Sequence, residues 1–206
     1  MSGEARTVII DYGMGNLRSV EKALEVVGDK PLVSGDPETI RQAGRLILPG
    51  VGAFGDAMEN LRRGGLDLAI LEAVGEGRPL LGLCLGLQLL FSESEEFGCH
   101  KGLALISGQV RKFVDPGVRV PHVGWNQIEI ARVDPLLAKT PEGSYFYFVH
   151  SFFVEPADQA DALCWTDYGH RFCSVARRGN VWGAQFHPEK SQEAGKQFLR
   201  NFLSIN

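Results

Sequence analysis

Four short, uninterrupted apolar runs in the first half of the chain, each leading into a helical pattern, constrain the fold most. They are Val8-Ile9-Ile10, Pro31-Leu32-Val33, Leu46-Ile47-Leu48 and Pro79-Leu80-Leu81-Gly82-Leu83. A strand that is apolar at every position is buried on both faces, which is the pattern of a parallel sheet covered by helices on each side. Helices are expected where Leu17, Val20, Leu24 and Val27 share one face up to Gly28, and after the cap and proline Asp36-Pro37. Further helices are expected over residues 53–63 and 66–74, and from Cys84 through Phe91.

The second half changes period. Ile128 and Ile130 alternate with Gln127 and Glu129, and residues 145–154 are aromatic and β-branched. Residues 163–166, 172–176 and 181–186 read as further strands, and an amphipathic helix bearing Ala194, Phe198 and Phe202 closes the chain. The expectation is one α/β domain over residues 1–206, with a central, mostly parallel sheet and added antiparallel strands. A chain of 206 residues that is 44% apolar can bury a sizeable core. Its net charge of −4, without a basic run, argues against a nucleic-acid partner, because a phosphate backbone rewards clustered Lys and Arg. No apolar stretch is long enough to span a bilayer. The first residues carry no export signal, so a cytosolic location with reduced thiols is expected. The spacing of Cys84, Cys99, Cys164 and Cys173 matches no zinc pattern, and no metal is expected.

Gly82-Leu83-Cys84-Leu85-Gly86 joins the fourth strand to a helix. It is the cysteine form of a nucleophile elbow, in which a tight turn pushes the nucleophile out and small residues two positions away let strand and helix backbones approach. The same turn aims the Leu85 N–H at the pocket, and a helix N-terminus favours a thiolate. A glycine-flanked cysteine on its own reads more readily as a buried structural thiol; the strand before and the helix after reverse that preference in favour of the elbow. Cys164 and Cys173 lie in strand patterns and are expected in the core. Cys99 is expected in a loop beside His100.

A thiol nucleophile needs a base. His187, in Gln185-Phe186-His187-Pro188-Glu189, follows the strand of residues 181–186, where open α/β sheets build their sites. Pro188 biases His187 towards extended backbone, so that Glu189 can reach the imidazole and hold its tautomer. Taken alone, this is a surface histidine near an exposed acid; with the elbow cysteine it becomes a base and its orienter. His122 and His150 are expected to be satisfied structural histidines, and His100 and His170 to be solvated. Pro49-Gly50-Val51-Gly52-Ala53-Phe54-Gly55 lacks the ending of a phosphate-binding loop and the spacing of a dinucleotide fingerprint. Beside the elbow strand it fits an oxyanion hole, where one preorganised donor is worth about 3 kcal/mol of barrier.

In this order these segments resemble the triad-type, or class I, glutamine amidotransferases. Asp11-Tyr12-Gly13-Met14-Gly15-Asn16-Leu17-Arg18-Ser19, Pro121-His122-Val123-Gly124-Trp125-Asn126 and Tyr147-Phe148-Val149-His150-Ser151 are similar to the glutaminase subunits of imidazole glycerol phosphate synthases. The resemblance implies a flavodoxin-like three-layer α/β sandwich, no cofactor, and glutamine hydrolysis by Cys84, His187 and Glu189 through a γ-glutamyl thioester. It implies an oxyanion hole near Gly52 and Leu85, and substrate contacts from Gln88, Glu96, Ser151 and Phe152. Phe152 stands where tyrosine is common, so a side-chain hydroxyl contact is lost there. The implied partner is a (β/α)8-barrel cyclase subunit, forming a heterodimer that makes imidazole glycerol phosphate and an aminoimidazole carboxamide ribonucleotide in histidine biosynthesis. Trp125, Asn126, Tyr147 and Lys190 resemble positions that face this cyclase, although sheet packing explains Trp125 and Tyr147 equally well. Rival readings are the glutaminase of another synthase such as pyridoxal phosphate synthase, a standalone γ-glutamyl hydrolase or cysteine peptidase, and a non-catalytic binding subunit.

Overall fold

The computed structural model describes residues 6–114 and 117–205. Its strands are β1 (Thr7–Ile10), β2 (Leu32–Ser34), β3 (Arg45–Leu48), β4 (Leu80–Leu83), β5 (Phe91–Ser94), β6 (His100–Lys101), β7 (Ile106–Lys112), β8 (His122–Gln127), β9 (Glu129–Ile130), β10 (Tyr145–His150), β11 (Phe152–Pro156), β12 (Ala162–Tyr168), β13 (His170–Arg178) and β14 (Val181–Ala184). The α-helices are α1 (Leu17–Val26), α2 (Pro37–Arg41), α3 (Phe54–Arg63), α4 (Leu66–Gly75), α5 (Leu85–Leu89) and α6 (Gln192–Leu203). The main sheet runs β2-β1-β3-β4-β14-β13-β11-β7-β5-β6. The block from β2 to β14 is parallel. Beyond it β13, β11 and β7 pair antiparallel. This is the sandwich with appended antiparallel strands that the sequence predicts.

Strand alternation sorts the side chains into two cores. Val8, Ile10, Leu46, Leu48 and Leu80 join α2, α3 and α4 on one face. Ile9, Ile47, Leu81 and Leu83 join α1 and α6 on the other. Because successive side chains point to opposite faces, a run of apolar residues supplies both cores at once. The cap expected from the sequence at Asp36 forms, and α1 carries one that was not expected. Asp36 accepts from Thr39 N at 2.9 Å ahead of Pro37, and Asn16 accepts from Ser19 N ahead of α1.

The structure departs from the sequence reading in three places. The helix after Cys84 stops at Leu89 instead of running through Phe91. Phe91–Ser94 is instead a strand paired with β7, because Leu87 to Phe91 is apolar in either period and tertiary pairing decides it. Residues 145–154 form two strands in different sheets. β10 pairs only with β8, in a separate two-stranded ribbon, and β11 crosses into the main sheet after Ser151. The ribbon turns Phe146 and Phe148 onto the α6 core, which gives the aromatic run its buried face. Third, His100 and His170 are packed rather than solvated. The His100 ring lies against Gly55, and the His170 ring is 4.7 Å from Phe153 and 5.1 Å from Phe113.

Among the described glycines, the backbone approach at Gly86 is the tightest. A β-carbon there would stand 1.8 Å from the Leu48 carbonyl oxygen, so β3 and α5 meet only because the side chain is absent. Gly86→Ala is therefore expected to lower stability by about 3 kcal/mol or more. Gly75, at the end of α4, has nothing within 4 Å of the same imagined atom, and Gly75→Ala is expected to be neutral or stabilising by up to about 1 kcal/mol. Thermal or urea melts of the two variants check the contrast; equal stabilities would contradict it.

Candidate active site

β4 ends in the core between β3 and β14, and its last link is the Cys84 N–H donating to the Ala184 carbonyl at 2.8 Å. Cys84 then takes φ 54° and ψ −110°, left-handed backbone that a non-glycine residue adopts only under strain. α5 begins at the next residue. Its first N–H groups, that of Leu85 among them, have no partner inside the helix. The Cys84 side chain lies at a cavity of about 300 Å³ whose lining also includes Gly52, Leu85, Gln88, Glu96, Ser151, Phe152, His187 and Lys190. Cys84 is thus the cysteine at the cavity. Cys164 and Cys173 are fully buried in the sheet, where burial pushes both thiols up, and Cys99 is exposed.

His187 reaches the cavity from the turn after β14. Its Nδ1 lies 2.8 Å from Glu189 Oε1, and both side chains are almost fully buried. Its Nε2, on the side of the ring away from Glu189, is buried with no hydrogen-bond partner among the described residues. Burial pushes the His187 imidazole down. Interaction with the Cys84 sulfur and the Glu189 carboxylate outweighs it and carries the group up to about 10. The backbone of this turn is pinned as well. His187 N–H donates to the Tyr147 carbonyl at 2.9 Å, and Ser191 Oγ–H donates to the His187 carbonyl at 2.6 Å while accepting from Tyr147 N–H.

The other candidates fall into two groups. Glu96 is oriented by the start of α3, where the Phe54 N–H donates to its Oε2 at 2.7 Å. Gln88 donates through Nε2 to the Phe152 carbonyl at 3.0 Å and to Gln185 Oε1 at 3.2 Å, so its own carbonyl is left to face the cavity. Gly52 sits at φ 101°, a conformation that lets the loop after β3 turn its N–H groups towards Cys84. Trp125, Asn126 and Tyr147 lie on the ribbon. Trp125 faces Tyr147 across the strands at 6.1 Å, and Lys190 lies over the Tyr147 ring at 5.6 Å. Trp125 is 45% exposed, so sheet packing accounts for only part of it. Asn126 is tied inward, donating to the Asp167 carbonyl at 2.9 Å and to His122.

His122 and His150 are buried and satisfied, as the sequence reading expects. His150 Nδ1–H donates to the Phe152 carbonyl at 2.8 Å, which leaves its Nε2 to accept from His122 Nδ1–H at 2.9 Å. Burial pushes His150 down to about 3 and His122 down to about 4, so both rings are neutral.

Three neighbours escape the sequence reading. Tyr12, after β1, donates to the Pro49 carbonyl at 2.9 Å and props the glycine loop. Ser191 stitches the ribbon to the His187 turn. Gln185 is fully buried beside the sulfur. Its signal in the sequence is a polar residue in an otherwise apolar strand end, Val181-Trp182-Gly183-Ala184-Gln185-Phe186.

The sequence profile of the class I glutamine amidotransferases matches residues 8–205. The chain is 52% identical to "Imidazole glycerol phosphate synthase subunit HisH" of Syntrophotalea carbinolica over 95% of this chain and 98% of that one. It is 50% identical to the protein of the same name from Aquifex aeolicus over 96% and 95%. Among solved structures, PurLQS from Thermotoga maritima superposes with a TM-score of 0.78 at 20% identity over 97% of this chain and 98% of that one, which speaks to the fold alone. A crystal structure of a glutamine amidotransferase gives 0.75 at 18% over 97% and 99%. Matched along nearly its whole length, this chain belongs to the HisH subunits of imidazole glycerol phosphate synthase, within the class I glutamine amidotransferase family.

Proposed function

We propose that the chain hydrolyses glutamine to glutamate and ammonia with Cys84 as nucleophile, His187 as proton carrier and Glu189 as its orienter. The observation that carries this reading is the strained Cys84 corner at the cavity, beside an imidazole whose far nitrogen is held by a buried carboxylate. The Cys84 thiolate attacks the side-chain amide carbon, and the carbonyl electrons move to an oxyanion. The Leu85 N–H and the N–H groups around Gly52 are placed to stabilise that charge. The oxyanion collapses, the C–N bond breaks, and the His187 imidazolium gives its proton to the departing ammonia. A γ-glutamyl thioester remains. Neutral His187 then takes a proton from water as it attacks the thioester, and glutamate leaves as the thiolate and imidazolium are restored. Glu96 supplies a negative charge for the α-ammonium group, Gln88 presents a carbonyl, and the Ser151-Phe152 backbone faces the α-carboxylate. With no hydroxyl on Phe152, that contact falls to the main chain. The Val51–Gly52 peptide acts as a hinge that completes the oxyanion hole once the partner is occupied.

The ammonia goes to a cyclase subunit with a (β/α)8 barrel, in a cytosolic heterodimer in which the whole chain acts as one glutaminase unit. The exposed side of the β8–β10 ribbon supports docking there. Val123, Trp125 and Tyr145 are exposed on it, while Val149 and Lys190 carry the same surface to the cavity. Such an apolar sheet face, rimmed by polar groups, is typical of an interface.

Cys84→Ala is expected to abolish glutamine-dependent synthesis by the assembled enzyme and to leave synthesis from added ammonia intact; loss of both would refute the division of labour. Glu189→Ala is expected to lower glutaminase turnover on the order of a hundredfold less than His187→Ala does, because orienting a base matters less than having one. Equal losses in steady-state kinetics would contradict the assigned roles. His187 is expected to stay an imidazolium at pH 8 in nitrogen-15 NMR of the free protein, while His122 and His150 stay neutral at pH 6. A neutral His187 at pH 8 counts against the pair. The sign for stability follows. A folded value above the ordinary 6.5 adds stability that is complete below about pH 6.5 and fades as pH rises towards 10. Trp125→Glu is expected to weaken binding to the cyclase by at least about tenfold without changing Cys84 reactivity; unchanged affinity by calorimetry would move the interface elsewhere.

A further inference from the structure

Gln185 is fully buried and has no place in the triad scheme. Its side-chain amide lies between two groups the scheme uses. Oε1 accepts from Gln88 Nε2 at 3.2 Å, and Nε2 stands 3.8 Å from Cys84 Sγ. The orientation of this amide is set by its neighbours. His150 Nδ1–H and Gln88 Nε2–H both donate to the Phe152 carbonyl, and the second Gln88 proton goes to Gln185. An oxygen of Gln185 must therefore face Gln88, which leaves its NH2 group for the sulfur. The other polar atom bonded to Sγ is the Val149 carbonyl oxygen, also at 3.8 Å. A carbonyl oxygen accepts from a thiol and repels a thiolate, whereas an amide N–H is attracted to a thiolate.

We propose that the Gln185 side-chain amide is a positioning group for the nucleophile, donating an N–H to the Cys84 thiolate and holding the sulfur in its ionised form. The inference rests on Cys84 being the nucleophile. Five other titratable groups act on the same sulfur or line its cavity. His187 lies beside it, buried Tyr12 stays protonated because burial and the sulfur's charge both oppose its ionisation, and Glu96 and Lys190 line the cavity with opposite charges. Neutral His150 also lines the cavity and is linked to the sulfur through the Phe152, Gln88 and Gln185 relay. Gln185 is the side chain that both contacts Sγ and carries no proton to titrate, so its contribution is a constant bias across pH.

The test is the rate of Cys84 alkylation by iodoacetamide against pH in the free subunit, for wild type, Gln185→Met and Gln185→Glu. Methionine keeps the volume and removes the donor; glutamate keeps the shape and adds a negative charge. At pH 7 the rate is expected to fall at least tenfold in Gln185→Met and further in Gln185→Glu. The Met variant is expected to return towards the wild-type rate as pH rises. A purely structural role would lower the rate equally at all pH values or not at all, and either pattern overturns the proposal. Should the variants fail to fold, the wild-type protein decides. The nitrogen-15 side-chain signals of Gln185 are expected to shift with the ionisation of Cys84 and to stay flat in Cys84→Ser; flat signals in wild type overturn the proposal. An unreactive wild-type Cys84 together with an active Cys84→Ala variant would instead refute the triad reading.

Discussion

The close approach of α5 to β3 governs the geometry of this protein. The Leu48 carbonyl occupies the space a side chain at position 86 would need, so the helix after Cys84 can sit directly over the neighbouring strand. That approach makes the corner sharp. The sharp corner holds Cys84 at positive φ and sets its sulfur in the cavity with the Leu85 N–H beside it. The glycine-rich loop leaves the end of the same strand, β3, so Cys84 and the loop proposed to face it are carried by adjacent backbones.

His187, the proposed base, is held by different means. His187 lies on a short turn after β14, whose Ala184 carbonyl accepts the Cys84 N–H. Strand pairing therefore fixes the two chain segments relative to each other. The finer position comes from the ribbon, through the Tyr147 carbonyl and Ser191, and from Glu189 on Nδ1. This couples the ribbon to the site, since Tyr147 belongs both to the exposed sheet face and to the His187 turn. A second path runs from Asn126 through His122 and His150 to the Phe152 carbonyl, and from there through Gln88 and Gln185 to the sulfur. Neutral, buried imidazoles suit such a path because each ring donates at one nitrogen and accepts at the other.

The parallel half of the fold was legible because its strands carry uninterrupted apolar runs and α2 carries the local cap Asp36-Pro37. The Cys84 corner and the His187 turn were legible for a related reason: each follows a buried strand, and the chemistry crowds into a few adjacent residues. What stayed hidden depends on pairing between distant segments. Leu87 to Phe91 reads as helix until β7 claims Phe91. Residues 145–154 read as one strand until Ser151 sends its two halves into different sheets. His170 reads as a polar loop residue until the rings of Phe113 and Phe153 close around it. Gln185 sat in plain view within the motif, but its role depends on Gln88 and Cys84, about a hundred residues earlier.

Peptide mapping by mass spectrometry after treatment with a diazoketone analogue of glutamine tests the central claim most directly, since the analogue must be recognised as substrate before it alkylates. The account predicts one adduct per chain, on Cys84, with Cys99, Cys164 and Cys173 unmodified and with glutamine protecting against the reaction. A chain that stays unmodified with its cyclase bound and occupied, or that carries the adduct on Cys99, would contradict it.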